Sequence, residues 1–119
     1  VARIDLIRIA DDIASRSQGL MFVRSMPEMS GMLFKFDKPD VLKFWMANTY
    51  IPLDIAFIDK DGVIVKTESL VPHSLKTVSS GAPCLMAVEV PYGSLAKAGG
   101  SVGKRVKIDW ETKSLEFHD

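Results

Sequence analysis

Phe44-Trp45-Met46-Ala47-Asn48-Thr49-Tyr50-Ile51-Pro52-Leu53-Asp54-Ile55-Ala56-Phe57-Ile58-Asp59 is the stretch on which the fold class turns. Val41 to Ala47 leads into it with β-branched and aromatic residues, the composition of a strand packing on a pleated surface. Asn48-Thr49 breaks that run, because Asn tolerates turn conformations and hydrogen-bonds its own backbone. Pro52 has no N–H to donate, so it begins the next strand rather than sitting in its middle. Leu53 to Ile58 is that strand, and Asp61-Gly62 marks a hairpin turn into a further strand over Val63 to Leu70. Strand, break, strand and tight turn in quick succession describe an antiparallel sheet.

Upstream, Arg3 to Ile9 alternates imperfectly as a strand. Asp11 offers an N-cap and Asp12 adds negative charge to the first turn of a short helix over Asp12 to Gln18, which Gly19 stops. Gly31 to Phe36 is a compact apolar run ending in a turn at Pro39. Downstream, Val71 to Pro83 is rich in Ser and Pro and reads as a long loop. Leu85 to Val90 is a strand ended by Pro91, Tyr92 to Ala98 makes one or two helical turns, and Arg105 to Trp110 with Ser114 to Phe117 forms a final hairpin. Seven or eight short strands with few helices predict a mainly β domain, a sandwich or a partly open barrel. A doubly wound parallel sheet does not fit, since strands do not alternate with long helices.

At 119 residues the chain has the length of one domain and buries a substantial core. Its 47% hydrophobic and 25% charged residues match a folded protein and exclude a disordered one. Fifteen basic residues balance fifteen acidic ones, so the positive footprint of a nucleic-acid partner or a polybasic membrane patch is missing. No apolar stretch approaches a membrane span. Cys84 is the only cysteine and forms no intrachain disulfide, which leaves the compartment open. The chain starts at Val1 rather than Met, and a removed signal peptide is one expectation for that.

No Gly-rich phosphate loop, His pair at metal spacing or Cys pair is present, so the sequence asks for no cofactor. A Cys84–His73 nucleophile pair is weaker than the reading in which Cys84 is a small buried hydrophobe and His73 sits in solvent. Asp54 and Glu89 are more informative, because each interrupts an otherwise apolar run and a bare buried charge costs several kcal/mol. As a pair they read as catalytic carboxylates in a cleft. Taken singly, each reads as a structural acid against Arg16 or Arg24, or as a cap near Asn48-Thr49. Phe44 and Trp45 are adjacent and point to opposite faces of a strand, with one in the core and the other at a cleft or surface. Met26, Met29 and Met32, spaced by three, raise a Cu(I) site, since thioethers are soft ligands; core filling is the simpler reading.

Arg16-x-x-Gly19-Leu20-Met21, Arg24, Pro27-x-x-x-Gly31-Met32-Leu33-Phe34 and the string Trp45-Met46-x-Asn48-Thr49-x-Ile51-Pro52-Leu53-Asp54 form a recognisable pattern, with Glu89, Gly93 and Gly103 closing it. The pattern resembles the family of domain of unknown function 192 over about Arg3 to Ile108. That resemblance implies a compact jelly-roll-like β fold with a short helix near the start, and export to the periplasm or beyond. It brings no established catalytic residues.

The leading expectation is therefore an exported, non-enzymatic binding module for a small polar ligand such as a carbohydrate. Arg24, Trp45, Asn48, Thr49, Asp54 and Glu89 are its candidate ligand residues. A hydrolase using Asp54 and Glu89, and Cu(I) handling by the methionines, are the rival expectations.

Overall fold

The structure is a computed structural model describing residues 2–119. Its elements run β1 (Ile4–Ala10), α1 (Ile13–Gln18), β2 (Ser30–Phe44), β3 (Leu53–Ile58), β4 (Ile64–Leu70), β5 (Val78–Pro91), α2 (Ser94–Lys97), β6 (Arg105–Asp109) and β7 (Ser114–His118). The strands form one sheet in the order β4-β3-β5-β2-β1-β7-β6. Its two ends meet at one corner, where Val63 bridges to Arg105. There the Val106 N–H donates to the Gly62 carbonyl at 2.7 Å and the Ile64 N–H to the Lys104 carbonyl at 2.9 Å. With only that corner joined, the sheet is a curled half-barrel, the partly open barrel of a mainly β chain.

Neighbouring strands are antiparallel except β1 and β2, which run parallel. A parallel pair needs a crossover, and α1 with the segment 19–29 supplies it. The cap of α1 is Asp12, one residue later than the spacing predicts. Its side chain accepts the Ser15 N–H at 2.7 Å, and Gly19 ends the helix at φ 52°.

The central strands are longer than the sequence predicts. The predicted Pro39 turn lies inside β2, and the second half of the predicted 71–83 loop is the start of β5. Pro39 falls where the β2–β5 register slips between Lys35 and Asp40, and Pro83 flanks a second slip between Val41 and Lys43. A residue with no N–H is tolerated at such irregularities, so these prolines bend a strand pair that they would otherwise interrupt.

Both faces of the central strands are covered. Leu33, Ala56, Ile58, Val88 and Val90 point into the barrel, where Ile4, Leu6, Leu115 and Phe117 meet them. Met32, Phe34, Leu53, Ile55, Phe57 and Ala87 point the other way, against Leu20, Met46 and Leu70. Gly31 lets β2 approach this closely: a Cβ there would lie 2.9 Å from the Glu89 carbonyl oxygen and 3.1 Å from Ile4.

Candidate functional site

Glu89 occupies a position that strand alternation reserves for a hydrophobe. Its cross-strand neighbours are Met32 on β2 and Ile55 on β3, both core residues of the outer face. The residue is only 4% exposed. Among the described residues no ion pair reaches its carboxyl. Burial, with no hydrogen bond or charge to offset it, pushes the carboxyl up from its ordinary 4.5 to about 8. The acid is therefore largely neutral at pH 7, and it opens on a cleft of about 290 Å³.

One wall of that cleft comes from α1 and the turn after it. Arg16 lies over the Phe36 ring at 4.7 Å and donates from Nη1 to the Lys35 carbonyl at 2.9 Å. These contacts fix the guanidinium while leaving it without a carboxylate partner among the described residues. Gly19, Leu20 and Met21 continue the wall. Aromatic residues form much of the remaining lining: Phe34 and Phe44 meet edge to face at 4.9 Å, and Phe44 leans on Phe57 at 5.8 Å. Phe44 is thus the residue turned to the core, and the adjacent Trp45 is half exposed at the mouth. Thr49 is buried beside it, its hydroxyl donating to the Ala47 carbonyl at 3.1 Å. Lys43 completes the lining.

A second surface flanks this cleft. Tyr50 is packed by Phe22 at 6.3 Å and His73 at 5.4 Å, with the Arg24 guanidinium over its ring at 5.2 Å. Phe22, Asn48 and His73 all have left-handed backbone, at φ 67°, 54° and 65°. The Phe22 N–H donates to the Asn48 carbonyl at 2.9 Å, and the His73 N–H to the Thr49 carbonyl at 3.1 Å. Those bonds hold residues such as Phe and His in a conformation that they rarely adopt.

The structure thus gathers three of the six candidate residues, Trp45, Thr49 and Glu89, in one cleft. Arg24 and Asn48 sit outside its lining, Arg24 on Tyr50 and Asn48 serving the local turn. Asp54 is elsewhere. It neighbours Val90 across β3 and β5, so it points to the face opposite Glu89 and lines a separate hollow with Thr67 and Ser69. Neither predicted arginine holds it. The Ser69 hydroxyl and the Gly93 N–H each donate to it at 2.8 Å, closing the turn between β5 and α2.

Two rival expectations fall with this geometry. Asp54 and Glu89 differ by an odd number of register steps, so pleating sends them to opposite faces and no substrate bond lies between both. The methionines also separate: Met29 packs on the inner core, while Met26 and Met32 pack on the outer one. Cys84 is a fully buried core residue whose thiol burial pushes up, and His73 is exposed on the rim. Among the described residues no three His, Cys, Asp or Glu side chains are grouped to hold a metal ion, and no helix is long and apolar enough to cross a membrane.

Arg16 and Lys43 are the site residues that the sequence reading missed. Arg16 stood in the motif Arg16-x-x-Gly19-Leu20-Met21, but only as a partner for an acid. Its place in the cleft with Glu89 depends on the crossover that lays α1 and its following turn against the outer face.

The family described as Uncharacterized ACR, domain of unknown function 192, matches residues 3–108 of this chain. A protein of unknown function from Novosphingobium aromaticivorans DSM 12444 is similar in structure, with TM-score 0.81 and 32% identity over 86% of this chain and 74% of that one. A protein of Sinorhizobium meliloti 1021, provisionally described as a transcription regulator, is similar with TM-score 0.80 and 34% identity over 97% of this chain and 90% of that one. No curated protein matches the sequence.

Proposed function

The chain belongs to the family of domain of unknown function 192, and since that membership carries no chemistry, we propose from the cleft that the domain binds a small polar ligand. One observation carries this reading. Glu89 is a residue only 4% exposed, placed where a hydrophobe would stabilise the sheet, and its carboxyl has no partner among the described residues while its oxygens are not sealed from solvent. Such a group is costly to keep as packing, and it faces an open cleft whose other polar members include Arg16, Ser17, Gln18, Lys43 and Thr49. An aromatic wall with a few convergent polar groups is the general form of a small-molecule site. Trp45 at the mouth offers a flat face to a sugar-like ring.

The description of the Sinorhizobium protein suggests a nucleic-acid role, which a chain of zero net charge supports poorly. The periplasmic or secreted location implied by the family pattern remains part of the proposal, and fractionation of cells expressing the complete gene tests it.

Thermal shift against a broad panel of sugars and metabolites tests the binding reading. A stabilising compound is expected, with its shift reduced in Trp45→Ala, whose half-exposed side chain contributes little to the fold. Asp54→Ala is expected to lower the melting temperature, by loss of about 1–3 kcal/mol of charge-assisted hydrogen bonding, while keeping the ligand-induced shift. A panel in which no compound stabilises the protein refutes the reading.

A further inference from the structure

We propose that the cleft selects a small hydroxylated organic anion of the sugar-acid type, its carboxylate held by Arg16 and its hydroxyls set against Glu89 and the face of Trp45. This inference rests on the binding reading above and names the charge of the ligand. The cleft's titratable lining groups are Arg16 from α1, Lys43 from β2 and Glu89 from β5. Two of them are basic side chains, and Arg16 is held by Phe36 and the Lys35 carbonyl with no carboxylate in ion-pair contact among the described residues, the charge it bears on being Asp12, one turn back on α1 and outside the cleft. The third, Glu89, is an acid whose burial favours the protonated form, so it presents an O–H donor in the same cleft instead of a competing negative charge. A guanidinium and a carboxylic acid both donate to a carboxylate, whereas an ammonium ligand would meet two like charges and would have to strip the proton from Glu89. Phe34 and Phe44 add apolar wall to this cleft of about 290 Å³.

Isothermal titration of the wild-type protein with glucuronate, glucose and glucosamine separates the cases, because the three share a ring and differ in charge. Glucuronate is expected to bind at least about tenfold more tightly than glucose, with glucosamine weakest, as one charge-assisted contact implies. Arg16→Gln is expected to erase that preference. Glucuronate affinity of the unmutated protein is further expected to fall as pH rises from about 6 to about 9, since ionised Glu89 repels the anion, and Glu89→Gln is expected to flatten the profile. The pH series on wild-type protein keeps the test decisive if Arg16→Gln fails to fold. Glucose or glucosamine binding as tightly as glucuronate, or a glucuronate affinity that does not weaken with pH, overturns the anion inference and leaves the binding reading intact. If none of the three binds, the broad panel decides: an uncharged or cationic binder overturns this inference alone, an anionic binder weakened by Arg16→Gln supports it, and a silent panel overturns both.

Discussion

At the residue scale, Glu89 governs how this domain responds to pH. Its carboxyl is raised from 4.5 to about 8 in the folded state. Between those values the unfolded chain has released the proton and the folded chain still holds it, so stability falls as pH rises, by about 1.4 kcal/mol per unit. The contribution is present in full below 4.5 and gone above about 8. Glu89→Gln keeps the shape and removes the titration. Urea denaturation at acidic and mildly alkaline pH is expected to show the variant gaining on wild type as pH rises; parallel slopes would mean that the acid is solvated. Asp54 gives the contrasting case. It interrupts an apolar strand just as Glu89 does, yet Ser69 and Gly93 satisfy it. Both acids stood out in the sequence as interruptions, but nothing there distinguished the partnered one from the unpartnered one, because the partners lie fifteen and thirty-nine residues away.

At the element scale, the close approach of β2 to β5 and β1 sets the geometry around Glu89. Gly31 permits it, and a methyl group there would press on the Glu89 carbonyl, Val90 and Ile4 at once. All three contacts are with backbone or inner-core atoms that have little room to move. Gly31→Ala is expected to lower unfolding free energy by about 1–3 kcal/mol, read from the urea midpoint, through overpacking rather than through any backbone conformation special to glycine. A neutral substitution would show that the two strands separate easily. The hairpin at Asp61-Gly62 was legible from its dipeptide, and Asp59 secures it by accepting the Asp61 and Val63 N–H groups at 2.9 and 3.0 Å. The full length of β2 and β5 was not legible. Pro39 and Pro83 read as interruptions in one dimension, and only the paired register shows them at bulges where a missing N–H costs nothing.

At the scale of the whole molecule, β2, β3 and β5 supply side chains to both cores, so neither core survives without the other. Phe57→Ala in the outer core is expected to cost about 3–5 kcal/mol, and Val88→Ala in the inner core a smaller amount. Both variants should still unfold in one transition, with far-UV circular dichroism and tryptophan fluorescence coinciding. Separate transitions by the two probes would show that the faces are independent. The sequence by itself determined the strand-rich class, the positions of most strands and the family, because periodicity, turn residues and the string from Trp45 to Asp54 are local features. Within Phe44 to Asp59 it also marked Trp45, Asn48, Thr49 and Asp54 as worth testing. Only the tertiary structure decided which of these meet. The parallel crossover of β1 to β2 brings Arg16 into the cleft that Glu89 lines, and the pleat turns Asp54 away, since a cleft is made by long-range register, which no local pattern encodes.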